Sequence, residues 1–267
     1  MYRPTSAAAD SARRFVDARR RASGLRDYPG QIPETLAEAY AIQELAIDLY
    51  GQPVGGWKVG RILGDNVARF GVDRFAGPIF VPSIVTAAPD RVGCIFREGF
   101  GAAEAEFLFR IGTPPPAGQV DFTLEDAARY VDAVHIGIEI ASSPFPGINI
   151  MGPAVTVSDF GNNNGLIVGP PIVDWQSGDF ADIDISSSID GEVRGTGRAC
   201  AFPDGPMGSV RFLLENLARR ALPITAGQWV STGAVTGVHQ VSIGQMVRAD
   251  FGSLGVVECA IGMQDAQ

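Results

Sequence analysis

The sequence predicts an α+β fold dominated by strands, a roll or sandwich behind a helical N-terminal segment. Three observations carry that expectation. Residues 1–55 hold two stretches with helical spacing of apolar positions, whereas residues 56–267 change texture to short β-branched runs. Many of the chain's 33 glycines and 18 prolines punctuate those runs, as brief strands joined by tight turns require. Only two later stretches return to a helical period.

Taken in order, "AAADSARRFVDARRRA" (7–22) sets Ala8, Ala12, Phe15 and Ala22 on one face among arginines, a packed first helix rather than a targeting sequence. The second helix begins near Glu34, after Pro33, and stops at Gly51, with Leu36, Tyr40, Gln43 and Ile47 sharing a face. The strand candidates are "GPIFVPSIV", "EAEFLFRIG", "AVHIGIEIA", "AVTVSDFG", "NGLIVGPPIV", "ADIDISSSIDGEV", "QWVSTGAVTGV" and "GVVECAIG". Two helices interrupt them. "TLEDAARYVDAV" has Thr123 as N-cap with Asp126 as its partner, and "GSVRFLLENLARRA" is apolar at 210, 213, 214 and 217.

Composition narrows the function. Hydrophobic content of 46% with 19% charged residues suits a soluble globular protein. A net charge of −9 argues against a nucleic-acid partner, because phosphate binding needs a clustered basic surface. No apolar run reaches membrane-spanning length, and the N-terminus lacks the basic-then-apolar order of a secretion signal. Cys94, Cys200 and Cys259 have no metal-like spacing and read as buried thiols of a reducing cytoplasm.

Of the 21 Lys plus Arg residues, 20 are arginine, and the single lysine is Lys58 in "PVGGWKVGRILG". A lysine needed only for its charge is readily replaced by arginine in such a chain. Lys58 is either a chance survivor or a residue whose amine does what a guanidinium cannot, which is to exchange a proton.

Carboxylates accompany it. Period-two alternation in "EAEFLFRI" sends Ala105, Phe107, Phe109 and Ile111 to one face and Glu104, Glu106 and Leu108 to the other. In "HIGIEIASS", Ile136, Ile138 and Ile140 oppose His135, Gly137 and Glu139. Paired glutamates on one strand face mean either a solvated edge strand or a cation between them. Glu104, Glu106 and Glu139 suit a hard divalent ion, Mg²⁺ or Mn²⁺, better than zinc, since the chain has only two histidines and no cysteine pair. Asp159 and the run Asn162, Asn163 and Asn164 form either a tight turn or a set of amides that orients a ligand or a metal-bound water.

Together these segments resemble the 2-keto-4-pentenoate hydratase and 4-oxalocrotonate decarboxylase family, within the fumarylacetoacetate hydrolase superfamily. "EAYAIQ" (38–43), "GWKVG" (56–60), "EAEFLF" (104–109), "GIEIASS" (137–143), "SDFGNNNGLIVG" (158–169), "GQWVSTGAVTG" (227–237) and "VRADFGSLGVV" (247–257) resemble family segments in the right order. The resemblance implies a mixed β-sandwich roll of the fumarylacetoacetate hydrolase C-terminal type, with residues 1–55 helical and residues 56–267 catalytic. It implies Mg²⁺ or Mn²⁺ held by Glu104, Glu106 and Glu139, with Lys58 and Asp159 catalytic. Arg61, Ser143, Asn162 and Asn163 are the expected substrate contacts. Three stretches depart from the family pattern: Gly60-Arg61-Ile62-Leu63, Ala141-Ser142-Ser143-Pro144 and Phe160-Gly161-Asn162.

The expected reaction is hydration of a 2-hydroxy-2,4-dienoate to a 4-hydroxy-2-oxo acid in the catabolism of aromatic compounds. Its alternatives are decarboxylation of a 2-oxo-enedioate, hydrolysis of an acylpyruvate C–C bond, and a non-catalytic partner subunit. A cytoplasmic homo-oligomer is expected, with a complex with a related pathway enzyme as a further expectation.

Overall fold

The computed structural model describes residues 5–267. Helix α1 (Ser6–Arg21) starts at Thr5, whose hydroxyl accepts a hydrogen bond from the Ala8 N–H. It buries Ala8, Ala12, Phe15 and Val16, while Ala22 adopts a left-handed conformation and caps the helix rather than extending that face. Helix α2 (Leu36–Tyr50) carries a full capping box between Thr35 and Glu38 and ends at Gly51, whose φ of 68° suits glycine. The two helices pack through Ala8, Ala12, Val16, Ile42 and Ala46, and rest on Phe80 and Phe160 of the β-rich part.

Strands β1 (Val54–Arg61), β2 (Arg74–Phe80), β3 (Ile84–Thr86), β4 (Val92–Ile95) and β5 (Phe100–Ile111) follow, with α3 (Asp65–Phe70) between the first two. Next come α4 (Leu124–Arg129), β6 (Val131–Ser143), α5 (Pro153–Ser158) and β7 (Asn163–Pro171). The chain closes with β8 (Ile185–Ile189), β9 (Glu192–Gly197), α6 (Gly205–Arg219), β10 (Trp229–Ser231), β11 (His239–Gln240), β12 (Met246–Asp250) and β13 (Val256–Met263).

Among the described residues the strands form two mixed sheets. The larger has the order β2-β1-β10-β5-β6-β7-β3, with β11 added to β5, and the smaller has the order β4-β13-β12-β8-β9. Ala105, Phe107, Phe109 and Ile111 of β5 and Ile136, Ile138 and Ile140 of β6 point into the space between the sheets, as the alternation predicts. Val247, Ala249, Val257, Cys259 and Ile261 of the smaller sheet meet them there. Helix α6 closes the same core with Val210, Leu213, Leu214 and Leu217, the four positions its period marks.

Four expectations are corrected. "AVTVSDFG" is no strand: residues 153–158 form α5, opened by Pro153 after Gly152 and buried from Ala154 to Ser158. Proline at the first turn and burial on all sides outweigh the β-branched residues there. Helix α4 stops at Arg129, because Val131–Val134 are taken into β6 against β5. The strand expected across "QWVSTGAVTGV" ends at Ser231, beyond which Gly233 (φ 107°) turns its N–H inward. Of the three cysteines, only Cys259 is buried; Cys94 is half-buried and Cys200 exposed.

Candidate active site and metal centre

The opposite face of the larger sheet holds the acidic residues. Glu104 lies directly across from Glu139 in the β5–β6 register, and Glu106 lies across from Gly137. The absent side chain of Gly137 makes room for Leu108 and the Ile167 carbonyl, which a Cβ would strike. Strand β5 is central, between β10 and β6, so the solvated-edge reading of the glutamate pair does not hold. Glu104, Glu106 and Glu139 are at most 5% exposed, and one carboxylate oxygen from each lies within 4.8 Å of the others.

Each of two carboxylates is gripped by one oxygen and leaves the other free. Glu106 Oε2 accepts hydrogen bonds from Ser231 Oγ (2.5 Å) and the Gly233 N–H (2.8 Å). Glu139 Oε1 accepts one from Asn163 Nδ2 (2.9 Å). Glu106 Oε1 is buried without any partner, and Glu139 Oε2 has no hydrogen bond, its polar neighbour being Lys58 Nζ at 3.3 Å. An orphaned buried oxygen such as Glu106 Oε1 costs about 1–3 kcal/mol, more when charged. A hard cation with a preference for oxygen would satisfy both oxygens together.

Lys58 stands beside this cluster. β1 places it opposite Gly77 of β2 and beside Ser231 of β10. Its Nζ lies 3.3 Å from Glu139 Oε2 and 5.5 Å from the centroid of Phe75, with the side chain 6% exposed. Gly161, at φ 63°, lies against the lysine stem, where a Cβ would press on Lys58 Cδ. Burial alone lowers the lysine pKa, but the charges of Glu139, Glu104 and Glu106 outweigh it and the net direction is upward. Burial and the Glu139 charge work against the Lys58 charge at Glu104 and push its carboxyl up to about 7. Glu106 is raised well above the ordinary carboxylate value by burial and by both neighbouring glutamates.

Above the cluster opens a cavity of about 900 Å³, lined by Lys58, Glu104, Arg61, Phe75, Asn162 and Phe202 among others. Asn162 Nδ2 reaches Asn149 Oδ1 at 3.3 Å, and its own Oδ1 has no partner. Arg61 is exposed on the cavity wall, 5.4 Å from the Phe202 centroid, and makes no ion pair among the described residues. Asp159 and Ser143 lie elsewhere. Asp159 is 1% exposed and clasped by Arg19, Nε to Oδ1 at 2.6 Å and Nη2 to Oδ2 at 3.0 Å. Ser143 Oγ donates to Asp159 Oδ2 at 2.6 Å and accepts from the Phe145 N–H. Neither residue lines the cavity, and Asp159 makes no contact of ion-pair or hydrogen-bond length with Lys58. Asn163 faces Glu139 rather than the cavity.

Sequence reasoning missed Ser231, Gly233 and Arg19. The first two sit more than a hundred positions from the glutamate they hold, and no local pattern links them. Arg19 had a signal: it follows Ala12 by seven residues and Phe15 by four, on the buried stripe of α1. His135 Nδ1 meets the Gly169 carbonyl and its ring abuts Trp229, while His239 Nε2 meets Thr236. Neither histidine has a carboxylate partner among the described residues.

No family model matches the chain. Among curated proteins it is 25% identical over 235 residues to a 4-oxalocrotonate decarboxylase of Pseudomonas putida, covering 86% of each. It is also 25% identical over 236 residues to a 2-keto-4-pentenoate hydratase of Paraburkholderia xenovorans (strain LB400), covering 82% of this chain and 81% of the relative. Among solved structures, 4-oxalocrotonate decarboxylase from Pseudomonas putida G7, complexed with magnesium and adipate, superposes with a TM-score of 0.80 at 23% identity, over 95% of this chain and 97% of that one. These curated names are the two activities of the family that the sequence motifs resemble.

Proposed function

We propose that the protein is a divalent-metal-dependent lyase that adds water to a 2-hydroxy-2,4-dienoic acid to give a 4-hydroxy-2-oxo acid. The observation that carries this reading is the buried triad of Glu104, Glu106 and Glu139 with Lys58 at its edge, of which Glu104 and Lys58 line one cavity. The three glutamates would hold Mg²⁺ or Mn²⁺. When bound, such an ion supplies Lewis-acid polarisation of an oxo group and a fixed positive charge for the adjoining carboxylate. The enzyme relatives, one of them solved with magnesium, support the same choice of chemistry.

Hydration needs two proton movements. The proton of the 2-hydroxyl goes to C5, which leaves a conjugated ketone; water then adds across C3 and C4, its oxygen to C4 and a proton to C3. Lys58 Nζ is the group that holds or hands over a proton, since it lines the cavity within reach of the glutamates. Asn162 lines the same cavity and is the amide residue there that would orient a bound substrate or water. Phe75 and Phe202 supply apolar wall to the same cavity. A C–C hydrolase would need a histidine–carboxylate pair to activate water, and among the described residues neither histidine has one.

One observation favours a second reading, decarboxylation of a 2-oxo-enedioate. Arg61 is a cation on the cavity wall with no acidic partner among the described residues, and it would suit a distal carboxylate. Product masses separate the two. The protein with Mg²⁺ is incubated with 2-hydroxydienoates that carry or lack a distal carboxylate. Hydration predicts a product heavier by one water from the monocarboxylate. Release of CO₂ from the dicarboxylate, stopped by Arg61→Leu, would reverse the order of the two readings.

A further inference from the structure

Helix α1 carries a buried guanidinium whose contacts end at the glutamate triad. Arg19 is 4% exposed and sandwiched between the Phe96 and Phe160 rings, 5.5 and 4.9 Å from their centroids. All three of its nitrogens are engaged. Nε and Nη2 clasp Asp159, which neutralises the charge. Nη2 also reaches the Ser142 carbonyl (3.1 Å), three residues beyond Glu139 on β6. Nη1 reaches the Asn163 carbonyl (3.1 Å) and Asn164 Oδ1 (3.2 Å) at the start of β7. The side chain of that same Asn163 donates to Glu139 Oε1. One guanidinium therefore pins the backbone on both sides of Glu139: the strand that bears it and the residue that orients it.

We infer that Arg19 and Asn163 are positioning residues for the metal centre, with α1 setting the aim of Glu139 through the chain Arg19–Asn163–Glu139. The inference rests on the reading of the triad as a metal site. It also assigns Asp159 to the Arg19 clasp, as the counter-charge that lets a guanidinium be buried there, instead of to the proton chemistry of Lys58. With Oε1 held by Asn163, Glu139 presents Oε2 to Lys58 and to the centre of the triad. Partners that orient a metal ligand in this way typically change metal affinity by about 10–100-fold.

The test measures Mn²⁺ affinity by calorimetry on the full chain, with the thermal midpoint of each variant recorded beside it. Asn163→Ala is expected to weaken Mn²⁺ binding about 10–100-fold while remaining folded. Arg19→Lys keeps a positive charge for Asp159 but cannot span Asn163 and Ser142 as well, and is expected to weaken binding at least about tenfold. Because part of the Arg19 effect runs through Asn163, the double variant should lose less than the sum of the two single losses, the remainder reporting the Ser142 contact. If Arg19→Lys fails to fold, the paired Arg19→Met, Asp159→Leu variant removes both buried charges together and should show the same weakening. Folded variants with Mn²⁺ affinity within about twofold of the parent, or losses that simply add, would overturn the inference and leave the metal site standing. A parent protein that binds no Mn²⁺ would overturn both.

Discussion

At Lys58 the proposed proton chemistry comes down to a single side chain. An arginine at this position would keep the charge that balances Glu104, Glu106 and Glu139, so substitution separates charge from proton transfer. Lys58→Arg should remain folded and bind Mn²⁺, and turnover should fall about 10²–10⁴-fold, as loss of a general acid–base group does. Steady-state rates across a pH series check this, and near-normal turnover with an unchanged profile would leave Lys58 as a counter-charge only. Glu104 offers a second reading at this scale. Its carboxyl is raised from 4.5 to about 7, chiefly by burial. A carboxyl whose folded pKa is raised contributes stability below its unfolded pKa and loses it as pH rises through the folded value. The metal-stripped protein should therefore become less stable between those two values, and added Mn²⁺ should raise the thermal midpoint more at about pH 8 than at about pH 5.5. A midpoint shift that is equal at both would contradict the assigned environment of Glu104. Period-two alternation made the three glutamates legible in the sequence, and the count of basic residues made Lys58 so. Asn163 was legible only as an amide near the site, because its partner Glu139 belongs to a neighbouring strand.

Among the elements, β5 and β6 bear the most weight. They pair over their whole length and are buried on both faces, core on one side and triad on the other. Alternation announced the inner face without ambiguity, since four apolar residues of β5 and three isoleucines of β6 point one way. It was silent on the second face, where the acids are buried rather than solvated. Gly137 tests the closeness of this packing. Gly137→Ala would drive a Cβ into Leu108 and the Ile167 carbonyl, across from Glu106. Overpacking of this kind costs about 1–3 kcal/mol, so urea unfolding should shift to a lower midpoint, with weakened Mn²⁺ binding as the strands part. Helix α5 shows where reading by element fails. Its β-branched Val155, Thr156 and Val157 favour a strand locally, yet Pro153 at the first turn and burial against α2 and the following turn decide otherwise.

At the scale of the molecule, the sandwich holds its apolar core between the sheets and its acids on the far face of the larger one, roofed by the N-terminal helices and the loops around Asn162 and Gly233. The class of fold was legible from the texture of the chain; the surroundings of the acids were not, because they are built from Arg19, Asn163, Ser231 and Gly233, which meet only after folding. That arrangement predicts that Glu106→Gln keeps the fold. The amide is isosteric and neutral, so it relieves repulsion within the triad while Ser231 and Gly233 still have an oxygen to bond. Such a variant should match or exceed the parent's thermal midpoint without metal, and gain less from Mn²⁺. The metal centre is tested most sharply by turnover of a 2-hydroxy-2,4-dienoate by the metal-stripped protein before and after Mg²⁺ or Mn²⁺ is restored, beside the triple Glu104→Gln, Glu106→Gln, Glu139→Gln variant. Turnover should be absent without the ion and recover with it, and the triple variant should fold yet neither bind the ion nor turn over. Turnover that persists in chelator, or tight stoichiometric metal binding by the triple variant, would contradict the assignment of that centre.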